Sequence, residues 1–270
     1  MFKRTVVIGC GGIFSQLWPL LGKFSSLHPA APKELLLVDK DRFSMSNLER
    51  QDMRPEDAGR SKAEIFAERL KYRHSNLDVK AVTEFVTASN ATKIVPDRSL
   101  VFSCVDNHAT RKMLSEHART LKDIVIVSGM NYETGGASSV YAVLEGKEAC
   151  RRLEHVYDEV ANPKDKNPGD VPCADLESQP GGEQQSITNA FAAIFMNHFF
   201  VKMLGEIPKG PEALASLLAH ETEICFEGGK VFRACSYKRI SAPVLQAVPQ
   251  AVSGYELLKQ DFDNRQSPTF

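Results

Sequence analysis

The 270 residues predict an α/β fold, a doubly wound and mainly parallel sheet extended at its C-terminal end by a β-hairpin. Three observations predict it. Short apolar runs alternate along the chain with stretches of helical spacing. The first run, Thr5–Ile8, passes straight into Gly9-Cys10-Gly11-Gly12 and then into a helix pattern. Two later runs, Leu35–Val38 and Leu100–Val105, each end on an acidic residue, Asp39 and Asp106. In open α/β sheets the C-terminal strand ends are where ligands bind.

Bulk properties bound the rest. Composition is 43% apolar and 25% charged, ordinary for a globular domain able to bury one large core. A net charge of -1 gives no electrostatic case for nucleic acid or an acidic membrane as partner. No apolar run approaches the ~20 residues of a membrane helix. The N-terminus enters a strand without the layout of a cleavable signal, so a cytoplasmic protein is expected. The six cysteines are widely spread with no Cys-x-x-Cys pair, which argues against a zinc clip and for free thiols. Three segments are expected: a nucleotide-binding Rossmann-like half over 1–150, a mobile loop over 151–185, and a buried helix plus hairpin over 186–270 completing the same domain.

Taken in order, Phe14, Leu17, Trp18, Leu21 and Phe24 recur at helical spacing after the glycine turn, and Pro19 predicts a kink. Backbone N–H groups at such a turn can approach a phosphate at the helix start. A tight strand-to-helix turn would want glycine by itself as well. The third glycine of the dinucleotide fingerprint is absent, and Phe14 holds its place. Asp39 then closes the second strand, with Asp41 two residues on, and Asn47, Arg50 and Gln51 cluster within five positions. Carboxylates at a strand end, followed by an amide and a guanidinium on a short turn, form a nucleotide grip. A helix over Lys62 to about His74 follows. Lys62 lies in its first turn, where a cation is disfavoured unless it is solvated or aimed at a bound anion.

Val79–Val82 reads as a strand and Ala88–Val95 as a helix. After the strand ending at Val105, Asp106 and Asn107 can cap the helix that runs to about Leu121, or face a ligand. Ile124–Val127 and Val140–Leu144 are strands. From Arg151 to Gln185, prolines, glycines and charges predict a long exposed loop carrying Cys173, either a spectator thiol or a nucleophile on a mobile arm. Ser186–Leu204 is apolar on nearly all faces, with Gly205 as its stop, so it is expected in the core or a dimer interface. Thr222–Phe226 and Val231–Cys235 flank a hairpin turn.

Together these motifs resemble the ThiF/MoeB family, the bacterial relatives of ubiquitin-activating enzymes, over roughly residues 3–206. The resemblance rests on Gly9-x-Gly11-Gly12, Asp39-x-Asp41, Ser46-Asn47-Leu48-x-Arg50-Gln51, Gly59-x-x-Lys62 and Asp106-Asn107-x-x-x-Arg111, with Pro168–Cys173 similar to that family's crossover loop. It implies an adenylyltransferase acting with ATP and Mg2+ on the C-terminal glycine carboxylate of a ubiquitin-like β-grasp protein, as a homodimer. It implies Gly9, Gly11, Gly12, Asp39, Asp41, Asn47, Gln51 and Asn107 for the nucleotide, and Arg50 and Lys62 for the phosphates. Asp106 would hold magnesium. Cys173 would accept the acyl group as a thioester, for a conjugating enzyme or for sulfur transfer. The family's usual N-terminal helix, which donates an arginine to the partner subunit, has no counterpart before the first strand, so either Arg4 or another cation would substitute or activity would be altered. Two other readings stay open: an NAD-dependent oxidoreductase, which Gly9–Gly12 and Asp39 permit but which leaves Arg50, Lys62 and Asp106 unexplained, and a catalytically silent scaffold.

Overall fold

In the computed structural model, residues 1–132, 135–170, 186–220, 223–227 and 230–234 are described. The strands are β1 (Arg4–Ile8), β2 (Glu34–Val38), β3 (Asp78–Val82), β4 (Ser99–Ser103), β5 (Ile124–Asn131), β6 (Gly136–Leu144), β7 (Lys147–Glu148), β8 (Glu223–Glu227) and β9 (Lys230–Ala234). The helices are α1 (Gly12–Leu27), α2 (Lys62–Arg73), α3 (Ala91–Ile94), α4 (His108–Ala118), α5 (Asp158–Ala161), α6 (Ser186–Glu206) and α7 (Pro211–His220). Among the described residues one sheet forms, in the order β3-β2-β1-β4-β5-β6-β8-β9, with β7 paired to β6. β3 through β5 are parallel, while β6, β8 and β9 run antiparallel to their neighbours. This is the expected Rossmann-like fold, with the hairpin at its edge.

The strand order reverses at β1, which has β2 on one side and β4 on the other. The register is flush: Ile8 pairs with Val38 and with Ser103. Gly9, Asp39 and Cys104 therefore leave the sheet side by side, at the switch point where such sheets bind ligands. α1 packs with α2 and α6, and α4 with α3 and α5, giving a helical layer on each face. Phe14 is fully buried with its ring edge on to Phe66 at 5.0 Å, so the residue standing for the third glycine faces α2 within the core. α1 runs unbroken through Pro19.

Four expectations change. The Ala88–Val95 helix shrinks to α3, because Asn90 Oδ1 accepts from the Thr87 N–H and turns the chain there, and Pro96 bars continuation. Residues 151–170 are not simply an exposed loop. Two short helical turns there bury Leu153, Tyr157 and Val160 against Met130, Ala137 and Cys225. The Tyr157 hydroxyl also donates to buried Glu223 on β8. α6 is not buried on all faces: Ile187, Ile194 and Val201, spaced by seven, are exposed. Finally, Ser186–Lys209 is long and apolar enough to cross a membrane by length and composition. It packs on α1, β5 and β6 instead, with Phe200 edge on to Phe102 of β4 at 5.4 Å.

Candidate active site

The glycine turn follows directly from the flush strand ends. Gly9 has φ +87°, a conformation L side chains rarely adopt, and a Cβ there would lie 2.9 Å from the Cys104 carbonyl oxygen. Gly11 is the N-cap of α1 and provides no side-chain cap, so the first-turn N–H groups of a 16-residue helix are left to an outside acceptor. Gly12 permits a different close approach. A Cβ there would lie 2.2 Å from Asn189 Nδ2 on α6.

Asp39 ties the turn to β2. Its Oδ2 accepts from the Cys10 N–H at 2.6 Å and its Oδ1 from the Asp41 N–H at 2.7 Å. Burial, and then the Asp41 charge, push its carboxyl up to about 6, against the opposing pull of Lys62 and the two N–H donors. Cys10 and Cys104 are free, buried thiols whose burial raises them, and they behave as packing residues.

The stretch from Asp41 to Lys62 is a loop closed on itself. The Phe43 N–H donates to Arg60 O and the Gly59 N–H to Phe43 O, so Lys62 returns beside Asp41. Lys62 Nζ stands 3.2 Å from Asp41 Oδ2, with the lysine side chain 9% exposed and the aspartate 53%. Lys62 is thus a buried cation at the sheet edge, and the solvated alternative falls. Inside the loop, Asn47 Oδ1 accepts from the Ser44 N–H, while Asn47 O accepts from the Arg50 and Gln51 N–H groups. The asparagine's oxygen therefore shapes the turn that carries Arg50 and Gln51. Arg50 Nε and Gln51 Oε1 are shielded and have no hydrogen-bond partner among the described residues. Gln51 Nε2 lies 3.9 Å from where a Cβ on Gly11 would be. The loop is braced from outside: Arg69 donates to Asp57 Oδ2 and to Asp52 O, and Trp18 Nε1 donates to Asp52 Oδ2.

Beyond β4, Asn107 takes the capping role, its Oδ1 accepting from the Thr110 N–H at 2.8 Å. Asp106 stays exposed. Arg111 is buried and donates to Val105 O and Gly129 O, bridging the ends of β4 and β5. Its burial lowers its pKa. Among the described residues no three His, Cys, Asp or Glu side chains gather into a metal cage. A hard cation here would take Asp106 together with oxygens from a ligand or water.

Of the residues expected from the sequence, Gly9, Gly11, Gly12, Asp39, Asp41, Asn47, Gln51, Arg50 and Lys62 surround the β1–β2 edge, and Asp106 and Asn107 stand at the β4 edge. Cys173 lies outside the described residues. Arg4 stands at the opposite end of β1, paired with Glu34 at 3.4 Å, so it does not reach this edge of its own chain. Sequence reasoning missed Asn189, Asn131, Asp165 and Arg69. All act across long stretches of sequence, and no local pattern marks them.

Comparison with known proteins places this arrangement. The adenylyltransferase and sulfurtransferase MOCS3 of Caenorhabditis briggsae is 32% identical over 138 residues, 51% of this chain and 33% of that protein. The sulfur carrier protein ThiS adenylyltransferase of Bacillus subtilis is 29% identical over 118 residues, 43% of this chain and 33% of that protein. The chain thus spans about a third of the length of these two relatives. The crystal structure of E. coli MccB with ATP shares the fold at a TM-score of 0.60 and 18% identity, covering 86% of this chain and 63% of that one. The ThiF family pattern matches residues 2–239, and the chain belongs to the ThiF family.

Proposed function

We propose that this chain binds Mg-ATP at the β1–β2–β4 edge and adenylates the C-terminal carboxylate of a ubiquitin-like β-grasp protein, releasing pyrophosphate. One observation carries the reading. The α1 N-terminus is open, Gln51 reaches the glycine turn at Gly11, Lys62 is a buried cation beside Asp41, and Arg50 Nε and Gln51 Oε1 are shielded without hydrogen-bond partners among the described residues. Shielded groups of this kind are costly to leave empty. An anionic ligand with further hydrogen-bonding groups satisfies them. Kinship with an adenylyltransferase whose name states a sulfur carrier protein as its substrate supports a protein carboxylate as the second substrate.

The chemistry follows from placement. Asp39, bonded to both the glycine turn and the Asp41 N–H, presents its remaining lone pairs to ribose hydroxyls. Attack of a carboxylate on the α-phosphate builds negative charge on the phosphoryl oxygens. Lys62 and Arg50 stabilise that charge without moving, which favours the transition state over the ground state. Asp106 would hold magnesium, a hard cation that takes carboxylate, phosphate and water oxygens. For the onward step, the Cys173 thiolate would attack the acyl carbon of the adenylate, forming the thioester and releasing AMP, before transfer to a conjugating enzyme or into sulfur chemistry. The chain would work as a homodimer, and the exposed Ile187, Ile194 and Val201 face of α6 supports a protein contact there.

The test is ATP–pyrophosphate exchange with a ubiquitin-like protein ending in glycine. Exchange is expected only with that partner present, and Asp106→Ala should lower its rate about 100-fold. Tighter binding of NADH than of Mg-ATP, or no exchange with any such partner, would overturn the reading.

A further inference from the structure

Asn189 is fully buried on α6, 177 positions from the glycine turn it touches. Its two amide ends are unequal. Oδ1 accepts from Asn131 Nδ2, at the end of β5, at 2.9 Å. Nδ2 has no hydrogen-bond partner among the described residues, and it lies 2.2 Å from where a Cβ on Gly12 would stand. Side chains in a helix lean toward its N-terminus. The Nδ2 group therefore sits against Gly12, the first residue of α1, one position past the uncapped Gly11. A shielded amide donor left empty is unfavourable, and packing alone would be served as well by an apolar residue of similar shape. The Asn131 contact fixes the amide's orientation, oxygen outward to β5 and N–H toward Gly12.

We propose that Asn189 is a phosphate-positioning residue whose Nδ2–H donates to the phosphoryl oxygen cradled by the backbone N–H groups at the start of α1. The inference rests on the ATP reading above and adds to it a donor from α6. It also explains why position 12 is glycine: any side chain there would displace the amide. An apolar helix thereby contributes one polar group to the site, and the distance from α6 to α1 becomes part of how the phosphate is gripped.

The test compares Mg-ATP with adenosine, each titrated calorimetrically into the full chain. Asn189→Asp keeps an oxygen for Asn131 and replaces the donor with an acceptor. Asn189→Ala removes both. Mg-ATP affinity should fall at least about 10-fold in Asn189→Asp and about 3- to 10-fold in Asn189→Ala. Adenosine affinity should stay within about twofold in both, because the lost bond is to phosphate. Thermal midpoints of both variants report folding. Equal losses for the two ligands, or a larger loss in Asn189→Ala than in Asn189→Asp, would assign Asn189 a packing role and overturn the inference. So would unchanged Mg-ATP affinity in both variants. Failure of the unmodified chain to bind Mg-ATP would sink the ATP reading itself, and the inference with it.

Discussion

Two helices begin at the same edge of the sheet, and they are finished in opposite ways. α4 is sealed. The His108 and Ala109 N–H groups donate to the two carboxylate oxygens of Asp165, each at 2.8 Å, and the Thr110 N–H donates to Asn107. α1 is open, capped by Gly11 with no side chain, and the nearest carboxylate, Asp39, takes the Cys10 N–H just upstream. Both starts carry the partial positive charge of a helix N-terminus. At α4 that charge is spent on holding residues 162–170 against the domain. At α1 it stays available, with the Gln51 amide close to Gly11 and Lys62 beside Asp41. Of these two helix starts, only the uncapped one keeps N–H groups for an outside acceptor. Asn107 is narrowed too: its oxygen is oriented by the Thr110 N–H of α4, and its amide nitrogen is the side-chain donor it could offer a ligand.

The largest expected effect is at the open end. Lys62→Met removes a buried cation while its partner Asp41 remains half exposed to water. Mg-ATP affinity measured by calorimetry should fall about 100-fold, while the thermal midpoint moves little. If affinity survives, the open start of α1 is not where the phosphates bind. A smaller effect of a different kind belongs to the sealed end. Asp165→Ala strips two caps from α4 and should lower unfolding stability by about 1 to 2 kcal/mol in denaturant titration, with Mg-ATP affinity within about twofold. A loss of affinity matching that of Lys62→Met would erase the distinction between the two helices.

Much of this was legible in the sequence where the physics is local. Thr5–Ile8 and Leu35–Val38 are β-branched or apolar runs stopped by glycine or aspartate, so the strands and Asp39 could be read directly, while the strand order that makes β1 the switch point came only with the fold. Lys62 was legible as an oddity, a cation in a first turn. The seal on α4 was not, because Asp165 lies 57 residues from His108 and sits among prolines, lysines and asparagines that read as solvent-facing loop. A signal was nonetheless present there: Leu153, Tyr157 and Val160 are spaced by four and three, a helical stripe inside a polar stretch. Asn189 had no such signal. α6 carries two asparagines, Asn189 and Asn197, and neither is distinguishable from one facing solvent until the fold sets Asn189 against Gly12.

The smallest effect concerns pH. Asp39 is held at about 6, above its ordinary value of 3.8, by burial first and by Asp41 second. A carboxyl raised in the folded state contributes stability in full below its ordinary value and loses that contribution as pH rises through about 6. Relative to Asp39→Asn, the nucleotide-free chain should therefore lose on the order of 1 kcal/mol between about pH 4 and pH 7. Thermal melts of the two proteins across that range measure it. Ribose hydroxyls donating to Asp39 would favour its charged form, so Mg-ATP should pull this titration downward and its affinity should weaken as pH falls below about 6. A carboxyl resonance that titrates near 4 without nucleotide, or one that ATP leaves in place, would remove Asp39 from the open end of the comparison.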